Sequence, residues 1–62
     1  MTRKDYVAIA AAVQELRELP TVRENPSVLI GVEMTALTVS QVCAEDNNCF
    51  DKGRFLRACG IL

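Results

Sequence analysis

The stretch Ser27 to Asp46 (SVLIGVEMTALTVSQVCAED) limits what this chain can fold into more than any other. From Val28 to Ala44 it holds one charge, Glu33, and no proline. A helix over it would be roughly 30 Å long at 1.5 Å per residue. Its apolar residues make two adjoining rows, Leu29, Val32, Ala36, Val39 and Cys43, then Ile30, Met34, Leu37 and Ala44. A helix that is apolar over so much of its circumference is normally covered on more than one side. The competing reading is a strand pair broken near Gly31. Many of these residues are β-branched, and Val28, Ile30, Val32, Met34 and Ala36 alternate with a period of two. Length favours the helix, because strands typically run to about 5–6 residues and no turn residue follows Gly31. Gly31 itself reads equally as a close helix crossing or as a tolerated glycine near a helix start.

The chain of 62 residues is one domain, 1–62. Surface scaling gives roughly 4,000 Å² folded against roughly 9,900 Å² unfolded, so only about 60% of the surface is buried. A domain of that size is marginal without a disulfide, a metal or a partner subunit. With half of its residues hydrophobic, the chain is not of disordered composition. Net charge is −1 with the basic residues scattered, unlike the concentrated stripe of a nucleic-acid binder. Glu33, Thr35, Thr38, Ser40 and Gln41 interrupt the central run, and no basic or aromatic belt flanks it. A membrane span is therefore not the reading. The opening MTRKDYVAIAAAV, with Asp5, is not read as a signal sequence.

Before the central run, Thr2 caps a first helix with Asp5 three residues on, a short-armed capping box. Tyr6, Ile9, Val13 and Leu16 then form a narrow seam, widened by Ala10 and Ala12. Pro20 disfavours helical geometry at Leu19 and stops this helix. Residues 20–26 (PTVRENP) read as an exposed, stiff connector. Asn25 or Ser27 caps the central helix, with Pro26 in its first turn.

After it, Glu45 and Asp46 oppose the helix dipole, and Asn47 and Asn48 follow. A short third helix comes next. Asp51 is its N-cap, and Phe50 and Phe55 have the spacing of a hydrophobic staple. Gly60 suits the left-handed C-terminal position, with Ile61 placed to touch Leu56 as in a Schellman motif. So short a helix does not hold alone in water, so Phe50, Phe55, Leu56 and Cys59 must dock on something. The fold expected is all-α: a small domain of three helices (about 3–19, 27–46 and 52–59), completed by homo-oligomerisation.

Chemistry is thin. The chain has no histidine, and its three cysteines, Cys43, Cys49 and Cys59, form no CxxC pair. They are expected to be reduced, buried small hydrophobes, which suits a cytosolic protein. Glu45, Asp46 and Asp51 lack the ligand order of a calcium loop. There is no nucleophile–base pair and no phosphate loop. No catalytic, metal or cofactor-binding residue is assigned, and the chain is not expected to be an enzyme.

The C-terminal run Asn47-Asn48-Cys49-Phe50-Asp51-Lys52-Gly53-Arg54-Phe55-Leu56-Arg57-Ala58-Cys59-Gly60 resembles the ending of a group of small tailed-bacteriophage and prophage proteins. Those close with an Asn-Pro-Arg-Phe-Asp stretch, then Arg-Phe-Leu, then Ala-Cys-Gly. The opening Lys4-Asp5-Tyr6 with Ile9-Ala10 resembles their start. Here Asn48 and Cys49 stand where Pro and Arg are usual. The resemblance implies a phage accessory protein in the cytoplasm of the infected bacterial host. It brings no activity and no site residues.

The function expected is therefore protein–protein interaction: a host-directed adaptor or inhibitor, working as a homodimer and contacting a host or phage protein. Val28, Gly31, Val32 and Val39 form the candidate self-association face. Arg54 and Arg57 are candidate partner-binding residues. The alternative is a small nucleic-acid-binding regulator that presents Lys52, Arg54 and Arg57 from its last helix.

Overall fold

The computed structural model describes residues 1–62, all in helices and the short links between them. Four helices follow one another: α1 (Arg3–Glu18), α2 (Pro20–Arg23), α3 (Pro26–Asp46) and α4 (Lys52–Ala58). The chain is 77% helical without a strand, which resolves the β-branched centre in favour of one helix. Thr35 and Thr38 return their hydroxyls to the Gly31 and Met34 carbonyls (2.8 and 2.9 Å), and Ser40 returns its own to Leu37 (2.7 Å). Their hydroxyls are satisfied by carbonyls about one turn back in the same helix. Ser40, fully buried, is thereby satisfied.

The ends of the elements follow local chemistry. Asp5 accepts from the Thr2 N–H (2.9 Å) and hydroxyl (3.3 Å) at the start of α1. Leu19, before Pro20, is extended (φ −62°, ψ 134°), so α1 stops there. Asn25 is the N-cap of α3 without a side-chain bond, and Pro26 takes the first turn. The connector departs from expectation. Pro20–Arg23 forms a helical turn rather than a loop, and Val22 within it is buried. The fixed φ of Pro20 suits a first helical position, and the turn carries Val22 inward.

At the far end the Asp51 carboxylate accepts the Arg54 N–H (2.9 Å). Gly60 adopts φ 83°. The Ile61 N–H reaches the Leu56 carbonyl and the Gly60 N–H that of Arg57, both at 3.0 Å. These two bonds make the Schellman ending. Seven residues thus receive a defined stop at each end.

The core gathers Ala10 of α1, Ala36 of α3, and Phe55, Leu56 and Cys59 of the C-terminal segment. Tyr6 meets Phe50 edge-on (centroids 4.7 Å, 64°), and Phe50 lies 5.5 Å from Phe55. The staple therefore extends into an aromatic chain that fastens α4 to α1.

Two expectations about the helix faces are corrected. On α1, Leu16 is 41% exposed, while Arg17 next to it turns inward. On α3, only one side is covered. Ala36, Ser40 and Cys43 make the buried stripe, and Ile30 and Met34 of the second row remain 55% and 61% exposed. Cys49 is also exposed, unlike Cys43 and Cys59, and all three thiols are free. By length and composition α3 is long and apolar enough to cross a membrane, and 17% of its most apolar window lies inside the fold.

Candidate functional sites: two grooves on α1

Arg17 explains why α1 turns as it does. Its Nε and Nη2 donate to Glu33 Oε2 at 3.1 and 2.6 Å. Its Nη1 donates to the Gly60 carbonyl at 2.7 Å and to the Cys59 carbonyl at 3.5 Å. One guanidinium thus ties α1, the single charge of central α3, and the carbonyl end of α4. A cation is favoured at that end by the helix dipole, and a planar fork suits several acceptors at once. Nothing local in the sequence marked Arg17, because its partners lie 16 and 43 residues away.

Cys59 sits against this cation. Burial raises its thiol above the usual 9.0, and the Arg17 charge partly counters that. A thiol held in its neutral form is a packing group rather than a nucleophile. No group of three or more His, Cys, Asp or Glu side chains is gathered where it could hold a metal ion.

α1 borders two grooves. The first, of about 420 Å³, runs between α1 and α3. Val28, Gly31, Val32 and Val39 all line it, facing Ile9, Val13 and Leu16. The candidate self-association residues are therefore gathered on one surface, and no ionisable side chain borders it. A methyl group built on Gly31 would touch nothing within 4 Å, so Gly31 makes no close crossing inside the chain.

The second groove, of about 400 Å³, lies between the first half of α1 and α4. Tyr6, Phe50 and Phe55 line it together with Arg3, Arg54 and Asp51. The structure separates the two candidate partner-binding arginines. Arg54 borders this groove, while Arg57 is exposed outside it, next to Gly53. Arg54 is joined instead by Arg3, which the spacing within α4 could not reveal. Ile30, Met34 and Leu37, on the flank of α3 away from the first groove, border neither. Compared with protein-family models, curated proteins and solved structures, the chain matches none.

Proposed function

We propose that this protein is a non-catalytic interaction module that pairs with a second copy of itself through the α1/α3 groove. It would act by binding proteins. The observation that carries this reading is the uncharged groove that unites Val28, Gly31, Val32 and Val39 with Ile9, Val13 and Leu16. An apolar, uncharged surface is suited to a self-complementary contact, in which the same patch serves both subunits. Area points the same way. The chain exposes 4432 Å², whereas a monomer of this mass averages roughly 4,000 Å². The surplus is about half of the roughly 800 Å² per partner that a stable interface buries. The open Gly31 leaves room for a second backbone to approach.

The phage setting, in the cytoplasm of an infected bacterial host and directed at a host or phage protein, rests on the resemblance of residues 47–60. Sedimentation tests the pairing. The wild-type chain is expected to exceed 6.8 kDa at high micromolar concentration, and Val32→Asp to reduce it to a folded monomer. A wild-type monomer under those conditions would overturn the proposal. So would a dimer that Met34→Asp dissolves and Val32→Asp does not, because the contact would then lie on the other flank of α3.

A further inference from the structure

We propose that the α1/α4 groove is a second docking site, shaped for a peptide segment that carries an apolar side chain next to a carboxylate. The inference rests on the binding-module reading for its class of ligand, but it uses a different surface from the proposed dimer contact.

The two grooves are similar in size and differ in charge. The α1/α3 groove has no ionisable group on its lining. The α1/α4 groove has an apolar floor with Arg3 and Arg54 beside it. Neither guanidinium is engaged by the protein, since the one ion pair in the chain is Arg17 with Glu33. The single acid on the lining is Asp51, and its Oδ1 already caps α4 by accepting the Arg54 N–H at 2.9 Å. Two unpaired guanidiniums against one carboxylate leave a net positive rim on an apolar floor. A guanidinium fork matches a carboxylate with two parallel hydrogen bonds. A volume of about 400 Å³ lies within the roughly 300–1,000 Å³ of ligand-holding clefts.

The aromatic geometry favours a peptide over single-stranded nucleic acid. Sequence-tolerant binding of a strand needs ring faces on which bases stack. Here Tyr6 and Phe50 are packed against each other at 4.7 Å, and Phe50 continues to Phe55 at 5.5 Å. Tyr6 and Phe50 are half-buried and Phe55 is buried, so little ring face is open for a base to stack on. An aliphatic or aromatic side chain laid over that floor needs no free ring face.

Cys49 supplies a reporter, because it borders this groove and is exposed, while Cys43 and Cys59 are buried. The full chain would be titrated with an acetylated, amidated Glu-Leu-Phe-Glu-Glu-Leu peptide, its lysine-for-glutamate twin, and a ten-nucleotide oligo-dT. Amide shifts and the rate of Cys49 alkylation by iodoacetamide would be followed. The acidic peptide is expected to shift amides around Tyr6 and Phe50–Phe55 and to slow alkylation, while the lysine twin does neither. Arg3→Gln and Arg54→Gln should each weaken binding about threefold, as loss of an exposed ion pair does, with the sedimenting mass unchanged. Val32→Asp should leave peptide binding intact. Absence of shifts at millimolar peptide, equal binding of both peptides, or preference for oligo-dT would overturn the inference. A peptide result of that kind with the dimer preserved would count against this groove alone. Loss of the dimer with peptide binding preserved would count against the pairing alone.

Discussion

The two helices that follow the connector turn reach stability by opposite routes. α4 has seven residues and is fixed at both ends and along its inner face: Asp51 caps it, Gly60 and Ile61 close it, and Phe55, Leu56 and Cys59 are buried. α3 has 21 residues, yet Ile30, Met34 and Leu37 stand open along one flank. Helix cooperativity accounts for the contrast. A turn is costly to nucleate and each added residue then contributes a bond, so a long helix persists with one side bare and a two-turn helix does not. The short helix must give its inner face to the fold, and the long one can leave a whole flank bare. Substitutions at the two places should therefore differ in kind: loss of folding at the C-terminal junction, and loss of association, or nothing, on α3.

The sharpest break in that contrast is Phe55→Ala. Phe55 is buried in the core cluster that includes Ala36, with its ring 5.5 Å from that of Phe50, and truncation of a buried phenylalanine costs about 3–5 kcal/mol. For a domain this small that threatens folding itself. Urea denaturation is the measurement, and an unchanged midpoint would mean that α4 is not docked.

Arg17→Ala comes next. It removes the partner of Glu33 and of the Cys59 and Gly60 carbonyls, and charge-assisted hydrogen bonds contribute about 1.5–3 kcal/mol. A loss of about 2 kcal/mol is expected on that scale. Arg17→Lys should restore little of it, because an ammonium cannot span a carboxylate and two carbonyls as a fork does. In a double-mutant cycle with Glu33→Gln, additive losses would show that the pair is not coupled.

Gly60→Ala probes the same junction more gently. At φ 83° a Cβ is strained, which costs about 1–2 kcal/mol. The added carbon would also lie 2.8 Å from Arg17 Nη1. That guanidinium must shift, so the penalty should shrink when Arg17 is already alanine.

Much of this junction was legible in the sequence because its devices are local. The N-cap, the staple and the glycine stop lie within a few residues of the bonds they make. The helix ends were legible for the same reason: Pro20 closes α1, and Glu45 and Asp46 close α3. The failures involve distance. Val13 is followed by apolar Leu16 three places on and by Arg17 four places on, and periodicity alone selects the leucine. What turns Arg17 inward is Glu33 and the end of α4, and neither is encoded near it. The role of Val22 was hidden likewise, because two prolines in seven residues describe a loop and a helical turn equally well. The two rows on α3 were legible as rows. Which of them the rest of the chain would cover depended on how α1 and α4 cross it.

A smaller effect separates packing from titration at the junction. Cys59 has a raised thiol pKa because burial disfavours the thiolate. A group raised in the folded state stabilises fully below its unfolded value, and that contribution is lost as pH climbs through the folded value. Stability should therefore decline above pH 9.0 through this group. Comparison with Cys59→Ala from about pH 8 to about pH 10.5 isolates it from the other alkaline titrations. Parallel curves for the two proteins would remove Cys59 as the cause.

The smallest effect is expected on the open flank of α3, and it tests the comparison most directly. Met34 is 61% exposed and Ile30 55%, so neither loses much contact within the fold when made polar. Glutamine is nearly as good a helix former as methionine, and better than isoleucine. Ile30→Gln with Met34→Gln should therefore change stability against urea by no more than about 0.5 kcal/mol, the usual range for surface sites. Sedimentation should be unchanged too, because the dimer contact is assigned to the groove on the other side of the helix. A loss of about 2 kcal/mol or more in the dilute protein, well beyond that surface range, would mean that this flank is covered after all. The long helix would then be bound up in the fold no less than the short one. A lower sedimenting mass with stability intact would keep the contrast between the helices and move the self-association face to Ile30, Met34 and Leu37.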